Sequence, residues 1–313
     1  MGIVVIGSVF VDIKGYPLST FVPTGRNAGR IVQVHGGVSR NIAEDIANVE
    51  LRPTFVSLVD ESGIGQDIIR NLKAHKVNTD YIRCRPDGFG TWLAVFDQNG
   101  DVAASISRRP DLSPIGDILA VHGDEIFGKA DSIVVEFDFE RPLLNQIFEL
   151  AERHHVDVYA AVSNMSIAMK RRDLLQKTRC FVCNELEASQ FFIEDLTALT
   201  PEELQKRLVE NIKNANIPSM IVTMGEKGAV YADADGESGV VAAQKVNVSD
   251  TTGAGDAFFA GVTIGLTYGK SLREACEIGT RLAASVIVTQ QNVCPRFRPE
   301  EFGIEPPFDI DKD

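Results

Sequence analysis

Apolar and polar positions follow two different periods along this chain. Short runs made almost wholly of apolar residues recur, and such runs are typical of strands buried on both faces of a sheet. The runs are GIVVIGSV, PTFVSLV, SIVVEF, DVYAAV, CFVC and SMIVTM. Amphipathic stretches with helical spacing separate most of them, namely SRNIAEDIANV, IGQDIIRNLKAH, LLNQIFELAERH and TPEELQKRLVENIKNA. This alternation predicts an α/β fold with a mainly parallel central sheet and helices on both faces.

The final third of the chain adds two adjoining helical stretches. They read GDAFFAGVTIGLTYG and SLREACEIGTRLAASVIVT. Ser271 and Glu274 have the spacing of an N-cap residue and the third helical residue, so a capping box is expected at the start of the second helix.

Two segments depart from this rhythm. Residues 12–35 and 88–109 alternate single apolar and polar positions, and Gln98-Asn99-Gly100 between two such runs indicates a hairpin. They predict a small antiparallel sheet that acts as a lid, or as an interface. Because exposed edge strands favour pairing, we expect a homodimer formed through this lid. No long linker or internal repeat interrupts residues 1–313, so a single domain is expected.

Composition and charge favour a small molecule over a nucleic-acid polymer as the ligand. The 313 residues are 44% hydrophobic and carry a formal net charge of −13, and no basic tract is present. A nucleic-acid polymer is therefore not an expected partner. The N-terminus lacks the features of a signal peptide and no apolar run is long enough for a membrane span. Five cysteines suit a reducing compartment, so we expect a cytoplasmic protein, and Cys180 and Cys183 form a CxxC without a second ligand pair.

The stretch DTTGAGDAFFAGV carries the strongest chemical signal. Asp256 stands at the start of an apolar helix, where a carboxylate can simply cap the backbone. Capping does not need the small residues Gly253, Ala254 and Gly255, which leave several backbone N–H groups free to meet an anion. Next to a bound phosphate, Asp256 suits the role of a general base for an attacking hydroxyl.

Four other stretches contain side chains that could contact ligands. GGVSRNIA places Gly36 and Gly37 at a close approach of the backbone, and Asn41 offers both donor and acceptor groups to a polyol. An ordinary turn followed by a helix start explains the same letters. Glu136 or Asp138, at the end of SIVVEFDF, could contact a sugar hydroxyl or a base edge, since ligands bind at the carboxyl ends of parallel strands.

NELE and TMGEKG each allow a structural and a functional interpretation. Asn184 and Glu187 have capping-box spacing, and Glu187 could instead bind magnesium beside nucleotide phosphates. Thr223, Gly225 and Gly228 follow a predicted strand, where a glycine-rich turn can hold phosphate or form a hairpin.

Four of these stretches resemble the ribokinase-like (PfkB) carbohydrate kinase family in their order along the chain, namely GGVSRNIA, NELE, TMGEKG and DTTGAGDAFFAGV. DTTGAGDAFFAGV matches the C-terminal signature of that family at each fixed position, and the resemblance covers essentially the whole chain. It implies a three-layer α/β/α fold with a β-lid over the sugar site. It also implies ATP-dependent phosphorylation of the hydroxymethyl group of a sugar or nucleoside, with Mg²⁺ and a monovalent cation, usually K⁺.

The resemblance also assigns expected roles by position. Asp256 becomes the base, and the backbone of Gly253, Ala254 and Gly255 becomes the anion hole. The expected sugar contacts are Asp12, Gly36, Gly37 and Asn41. The expected nucleotide, magnesium and phosphate groups are Asn184, Glu187, Thr223, Gly225 and Gly228. Asp250 and Thr252 resemble ligands of the monovalent cation.

Within the family, the sequence most resembles pseudouridine kinases. GGVSRNIA is close to their GGVGRNIA, with Ser39 in place of a glycine. The best prediction is therefore a pseudouridine kinase. A ribokinase- or fructokinase-type sugar kinase is the alternative within the family, and a non-catalytic sensor of nucleotide or sugar is the alternative of another class.

Overall fold

The computed structural model describes residues 2–305, which contain thirteen strands and ten α-helices. In chain order the strands are β1 (Ile3–Ile6), β2 (Phe10–Pro17), β3 (Gly29–Gly36), β4 (Thr54–Val59), β5 (Ile82–Cys84), β6 (Gly90–Phe96), β7 (Val102–Arg108), β8 (Ser132–Glu136), β9 (Val158–Ala161), β10 (Cys180–Asn184), β11 (Ser219–Thr223), β12 (Ala229–Asp233) and β13 (Ser238–Val241). The helices are α1 (Val38–Asn48), α2 (Gly63–Ala74), α3 (Ile115–Phe127), α4 (Arg141–His154), α5 (Met165–Ala168), α6 (Arg172–Leu175), α7 (Glu185–Phe192), α8 (Pro201–Ala215), α9 (Ala254–Thr267) and α10 (Leu272–Ile287).

A nine-stranded sheet forms the centre of the fold. Its order is β13-β12-β11-β10-β9-β8-β1-β4-β5, and every pair is parallel except those that involve β12 or β13. Each of the six apolar runs singled out in the sequence supplies one of its strands. The residues of β1, β4, β8 and β9 are all buried, as expected for strands covered on both faces.

Two helical layers cover the sheet. Apolar residues of α1, α2, α9 and α10 pack with one set of strand residues, and those of α3, α4, α7 and α8 pack with the other set. The predicted α/β class and three-layer arrangement are thereby confirmed. The capping box of Ser271 and Glu274 at the start of α10 is present. The sequence patterns missed α3, whose mostly apolar character hides any helical stripe.

A second sheet of four strands covers the carboxyl ends of the central strands. Its order is β3-β2-β6-β7, with β2 and β6 parallel and the other pairs antiparallel. Alternation gives it two different faces: Asp12, Trp92 and Ser107 line a cavity on the inner face. On the outer face, Ile31 is 77% exposed and Ile106 is 70% exposed.

The two cysteines of the CxxC lie within β10 and face opposite sides of the sheet. Cys180 packs with one layer of the core and Cys183 with the other. Burial raises the pKa of Cys180 to about 12 and that of Cys183 well above its usual value. Neither geometry nor protonation state suits a shared metal ion. Among residues 2–305, no helix is long and apolar enough to cross a membrane.

Candidate active site

The N-terminus of α9 separates two different cavities. Ala254 and Gly255 line one cavity, and Asp256 lines another. Gly253 precedes the helix with φ of 82°, in the left-handed region that favours glycine. A Cβ at this position would lie 2.1 Å from the carbonyl oxygen of Asn292, so space as well as conformation requires glycine. Gly253 thus fixes the start of α9 between the two cavities.

Asp256 is half-buried and has a defined partner. Its Oδ2 accepts a hydrogen bond of 2.7 Å from Nδ2 of Asn41. Burial raises the pKa of Asp256 to about 6, although the Asn41 hydrogen bond and the charge of Arg40 act in the opposite direction. A carboxylate with a pKa near 6 is ionised at neutral pH and accepts protons readily, as a general base must.

The side chain of Asn41 is held in one orientation by a buried polar network. Its Oδ1 accepts hydrogen bonds from Nη2 of Arg40 and, at 3.2 Å, from Nδ2 of Asn292. Arg40 in turn forms a buried ion pair with Glu44 at 2.5 Å, and both Arg40 and Asn292 donate to the carbonyl of His35. Because Oδ1 is fully occupied, the amide N–H₂ group of Asn41 must face Asp256.

A cavity of about 260 Å³ lies on the Asp256 side of α9, the proposed substrate side, and all the predicted sugar contacts except Gly36 line it. Asp12, Gly37, Asn41, Glu136 and Asp256 all line it. Burial raises the pKa of Asp12 despite the nearby charges of Lys14 and Arg40.

The two glycines that precede α1 bring the backbone close to this cavity. Gly37 has φ of 99°, and a Cβ there would lie 2.9 Å from the backbone nitrogen of Phe10. Gly36 lies against Asp12, since a Cβ at Gly36 would lie 2.7 Å from an Asp12 oxygen.

Glu136 is held at the end of β8 by three hydrogen bonds to one oxygen. The backbone nitrogen and hydroxyl of Ser8 donate to Oε2 at 2.8 and 2.7 Å, and the Ser39 hydroxyl donates at 3.1 Å. Ser39 therefore has a structural role: it helps to orient a buried carboxylate that lines the cavity. The other oxygen, Oε1, remains the one available to a hydroxyl group.

A larger cavity, of about 640 Å³, adjoins the smaller one. The two share Ser8, Phe10, Arg109 and Glu136 as lining residues. The larger cavity is further lined by Asp138 and by apolar residues, which include Leu112, Phe139 and Leu143. Apolar walls with a few charged groups are typical of small-molecule sites of about 300–1,000 Å³.

The cavity on the other side of α9, of about 260 Å³, contains the predicted nucleotide turn. Thr223, Gly225 and Gly228 line it at the hairpin between β11 and β12, opposite small and apolar residues of α10. The hairpin interpretation of TMGEKG is therefore right, and the same turn faces a cavity. Asn184 pairs with Thr223 in the parallel register of β10 and β11, so NELE begins at the same sheet edge.

Asn184 and Glu187 form the capping box that their spacing predicts. Oδ1 of Asn184 accepts from the Glu187 backbone at 2.8 Å, and Oε2 of Glu187 accepts from the Asn184 backbone at 2.9 Å. Burial raises the pKa of Glu187. No group of three or more acidic, histidine or cysteine side chains that could hold a metal occurs in residues 2–305. A single carboxylate fits Mg²⁺, which takes few protein ligands and completes its shell with water and phosphate oxygens.

Asp250 and Thr252 lie in the loop that leads into α9. Oδ1 of Asp250 accepts a 2.9 Å hydrogen bond from the Thr252 backbone. Burial acts to raise the pKa of Asp250, but hydrogen bonds from Thr252 and the charge of Lys14 outweigh it, so the pKa is lowered. The ionised carboxylate is compatible with a cation at this loop.

Comparison with known proteins identifies the class to which this arrangement belongs. A model of the pfkB family of carbohydrate kinases matches residues 2–296. The chain belongs to this family and is a carbohydrate or nucleoside kinase. The structure of Arabidopsis thaliana ribokinase complexed with ribose and ATP aligns with a TM-score of 0.80 at 19% identity, over 96% of this chain and 97% of that one. The ribokinase-like fold is thereby shown.

Two curated relatives are more informative about the type of substrate. A guanosine-inosine kinase of Exiguobacterium acetylicum is 34% identical over 93% of this chain and 95% of its own. A pseudouridine kinase of Escherichia coli is 29% identical over 87% of each chain. Both relatives are named as nucleoside kinases.

Several residues of the site escaped the sequence interpretation. Arg40 and Asn292 orient Asn41, and Arg109 lines both substrate-side cavities. Arg40 could have been found from the sequence, because a charged residue on the buried face of a predicted helix needs a partner. Asn292 and Arg109 lie in loops, and nothing local in the sequence marks them.

Proposed function

We propose that the protein transfers the γ-phosphoryl group of ATP to the hydroxymethyl group of a ribonucleoside. The main support for this proposal is the larger cavity, which adjoins the smaller cavity lined by Asp256. A pentose with its hydroxymethyl group at Asp256 accounts for the smaller cavity, whereas a free sugar would leave the larger one empty. A base attached to the pentose fills it. The names of the two relatives support the same class.

The arrangement around α9 supports a direct transfer. ATP would occupy the cavity lined by Thr223, Gly225 and Gly228, with its terminal phosphate at the N-terminus of α9. The backbone N–H groups of Gly253, Ala254 and Gly255 would stabilise charge on the transferred group. Asp256 would accept the hydroxyl proton, and Asn41 would keep that carboxylate oriented.

Cations have supporting roles in this proposal. Glu187 and Asn184 would hold Mg²⁺ through water near the ATP phosphates, where it neutralises negative charge. Asp250 and Thr252 would hold K⁺ in the loop before α9. Removal of Mg²⁺ by a chelator is expected to abolish turnover, and replacement of K⁺ by a large organic cation is expected to reduce it.

Among ribonucleosides, we expect guanosine or inosine to be the preferred substrate and pseudouridine to be the second choice. The relative with higher identity acts, by its name, on guanosine and inosine. A coupled assay of ADP release would compare guanosine, inosine, pseudouridine, uridine, adenosine, ribose and fructose. A nucleoside preferred over ribose supports the proposal, and a preferred free sugar would replace it by a sugar kinase. Nucleotide binding without any turnover would indicate a sensor.

The outer face of the four-stranded sheet supports a homodimer. Ile31, Leu93 and Ile106 form an exposed apolar surface there, and such surfaces mark interaction sites. A second copy of this chain is the proposed partner. Light scattering at micromolar concentration is expected to give twice the monomer mass, and Ile106→Asp is expected to halve it. A monomeric mass for the unaltered protein would rule this interface out.

A further inference from the structure

Asp138 has an unusual position in the larger cavity. It follows β8 by two residues, and its side chain is only 2% exposed. Its Oδ2 accepts hydrogen bonds from Nη1 of Arg109 at 2.8 Å and from the Ser163 hydroxyl at 2.7 Å. Its Oδ1 is buried and has no hydrogen-bond partner within residues 2–305. One half of this carboxylate is satisfied by the protein, and the other half is not.

An unsatisfied buried oxygen needs an explanation. Leaving a buried polar group without a partner costs about 1–3 kcal/mol, and more for a charged group, so native proteins rarely retain one. Asp138 is tied to two side chains that fix its orientation, and it lines the cavity beside Asp256. Arg109 contacts Oδ2 and not Oδ1, and its side chain is 52% exposed, so it can also donate to a ligand in the cavity. A donor group of the ligand would then complete the carboxylate.

We propose that Asp138 selects the base by accepting a hydrogen bond from a ring N–H group, while Arg109 donates to the adjacent carbonyl oxygen. This inference rests on the proposed nucleoside kinase activity. An ionised carboxylate can only accept hydrogen bonds and a guanidinium can only donate them, so the pair requires a donor and an acceptor side by side. The lactam edge of guanine, hypoxanthine or uracil offers that pattern.

The donor must be the ring N–H, because hypoxanthine has no exocyclic amino group that could donate instead. Hypoxanthine and the base of pseudouridine have no exocyclic amino group, so any hydrogen bond from them to Asp138 comes from the ring. Adenine and cytosine carry an unprotonated ring nitrogen at this edge, which would face the carboxylate with a lone pair. A site built around a polar contact rejects substrates that cannot make it, by factors of up to about 10⁴–10⁵. Adenosine and cytidine are therefore expected to be poor substrates.

The first test needs no variant. The kcat/KM of the unaltered enzyme would be measured for inosine, adenosine and 1-methylinosine. In 1-methylinosine a methyl group replaces the hydrogen of the ring N–H. We expect inosine to exceed both by at least about 100-fold. Equal values for inosine and 1-methylinosine would overturn the role of the ring N–H and leave the nucleoside kinase intact. Phosphorylation of ribose but of none of these nucleosides would overturn the proposed function itself.

The second test assigns the selection to one residue. Asp138→Asn keeps the shape of the side chain but can offer an N–H₂ group to an unprotonated ring nitrogen. We expect kcat/KM for inosine to fall by about 100-fold and the preference for inosine over adenosine to collapse. Glu140→Gln removes a carboxylate at the rim of the same cavity and is expected to keep the preference within about twofold. A preference that survives Asp138→Asn, with normal thermal unfolding, would overturn the inference.

Discussion

The two sides of the α9 N-terminus, the proposed nucleotide side and the proposed substrate side, are lined by different kinds of residues. On the nucleotide side, glycines, alanines and backbone groups dominate, as Gly225, Gly228 and Ala254 illustrate. On the substrate side, charged side chains such as Asp12, Arg109 and Glu136 line the cavities. ATP is common to many kinases, and a bare backbone is enough to hold its phosphates. The molecule that accepts the phosphoryl group differs between kinases, so specificity for it requires particular side chains.

This contrast predicts how each side responds to substitution. A change at a glycine that has a left-handed φ and no room for a Cβ, such as Gly253, alters backbone conformation and packing, so it should cost stability together with activity. A change of a charged side chain on the substrate side leaves the backbone intact, so it should alter rate, selectivity or pH dependence.

Asp256→Asn is expected to have the largest effect, a loss of turnover without a loss of ATP binding. The variant removes the proposed base but keeps a side-chain oxygen that Asn41 can still bind. General-base catalysis contributes about 10²- to 10⁴-fold, so kcat should fall by that factor. The Kd of an ATP analogue, measured by calorimetry, should stay within about twofold because Asp256 does not line the nucleotide cavity. Unchanged turnover would reduce Asp256 to a helix cap.

Gly253→Ala is expected to damage both activity and stability. The new Cβ would meet the Asn292 carbonyl, and φ of 82° strains any residue other than glycine. Such a position costs a few kcal/mol, so the free energy of unfolding should fall by about 3 kcal/mol. Denaturant unfolding measures it. Gly255→Ala is the matched control, because no atom lies within 4 Å of its Cβ position. Equal losses for the two variants would contradict the geometric account.

The same contrast explains what could be predicted from the sequence. The fold followed from the periods of apolar residues. The α9 stretch could be singled out because capping alone does not need its small residues, whereas the turn of TMGEKG allowed a hairpin and a phosphate site equally. The orientation of Asn41 could not be predicted. It depends on Asn292, which is 251 residues away in the chain, and on Arg40. Asp138 and Glu136 were both candidates at the end of β8, and only the structure shows that they face different partners.

Arg40→Met is expected to shift the pH dependence of the reaction. Asp256 must be ionised to act as a base, so kcat/KM should fall below about pH 6 in the unaltered enzyme. The Arg40 charge lowers the pKa of Asp256, and its removal should move the acidic limb to higher pH by about one unit. Asp45, whose pKa the charge of Asp256 acts to raise, is unchanged in this variant. Arg40→Lys keeps the charge and should keep the limb near pH 6. If the acidic limb of the kcat/KM profile does not move in Arg40→Met, the charge of Arg40 does not lower the pKa of Asp256.

The smallest expected effect is a gain in stability for Asp256→Asn. Burial raises the pKa of Asp256 in the folded protein to about 6, above its ordinary value of 3.8. The folded state therefore binds the proton more tightly than the unfolded chain, and the ionised carboxylate costs stability above about pH 6. After discounting for partial exposure, this cost is about 1–2 kcal/mol. Thermal unfolding at about pH 8 should give a Tm a few degrees higher for the Asp256→Asn variant than for the unaltered chain. The difference should shrink as the pH falls from about 6 toward about 4, because the folded protein then takes up the proton and no longer buries a charged carboxylate. A gain that persists at the lower pH would reflect packing and not charge, and the substrate side would then resemble the nucleotide side in how it responds to substitution.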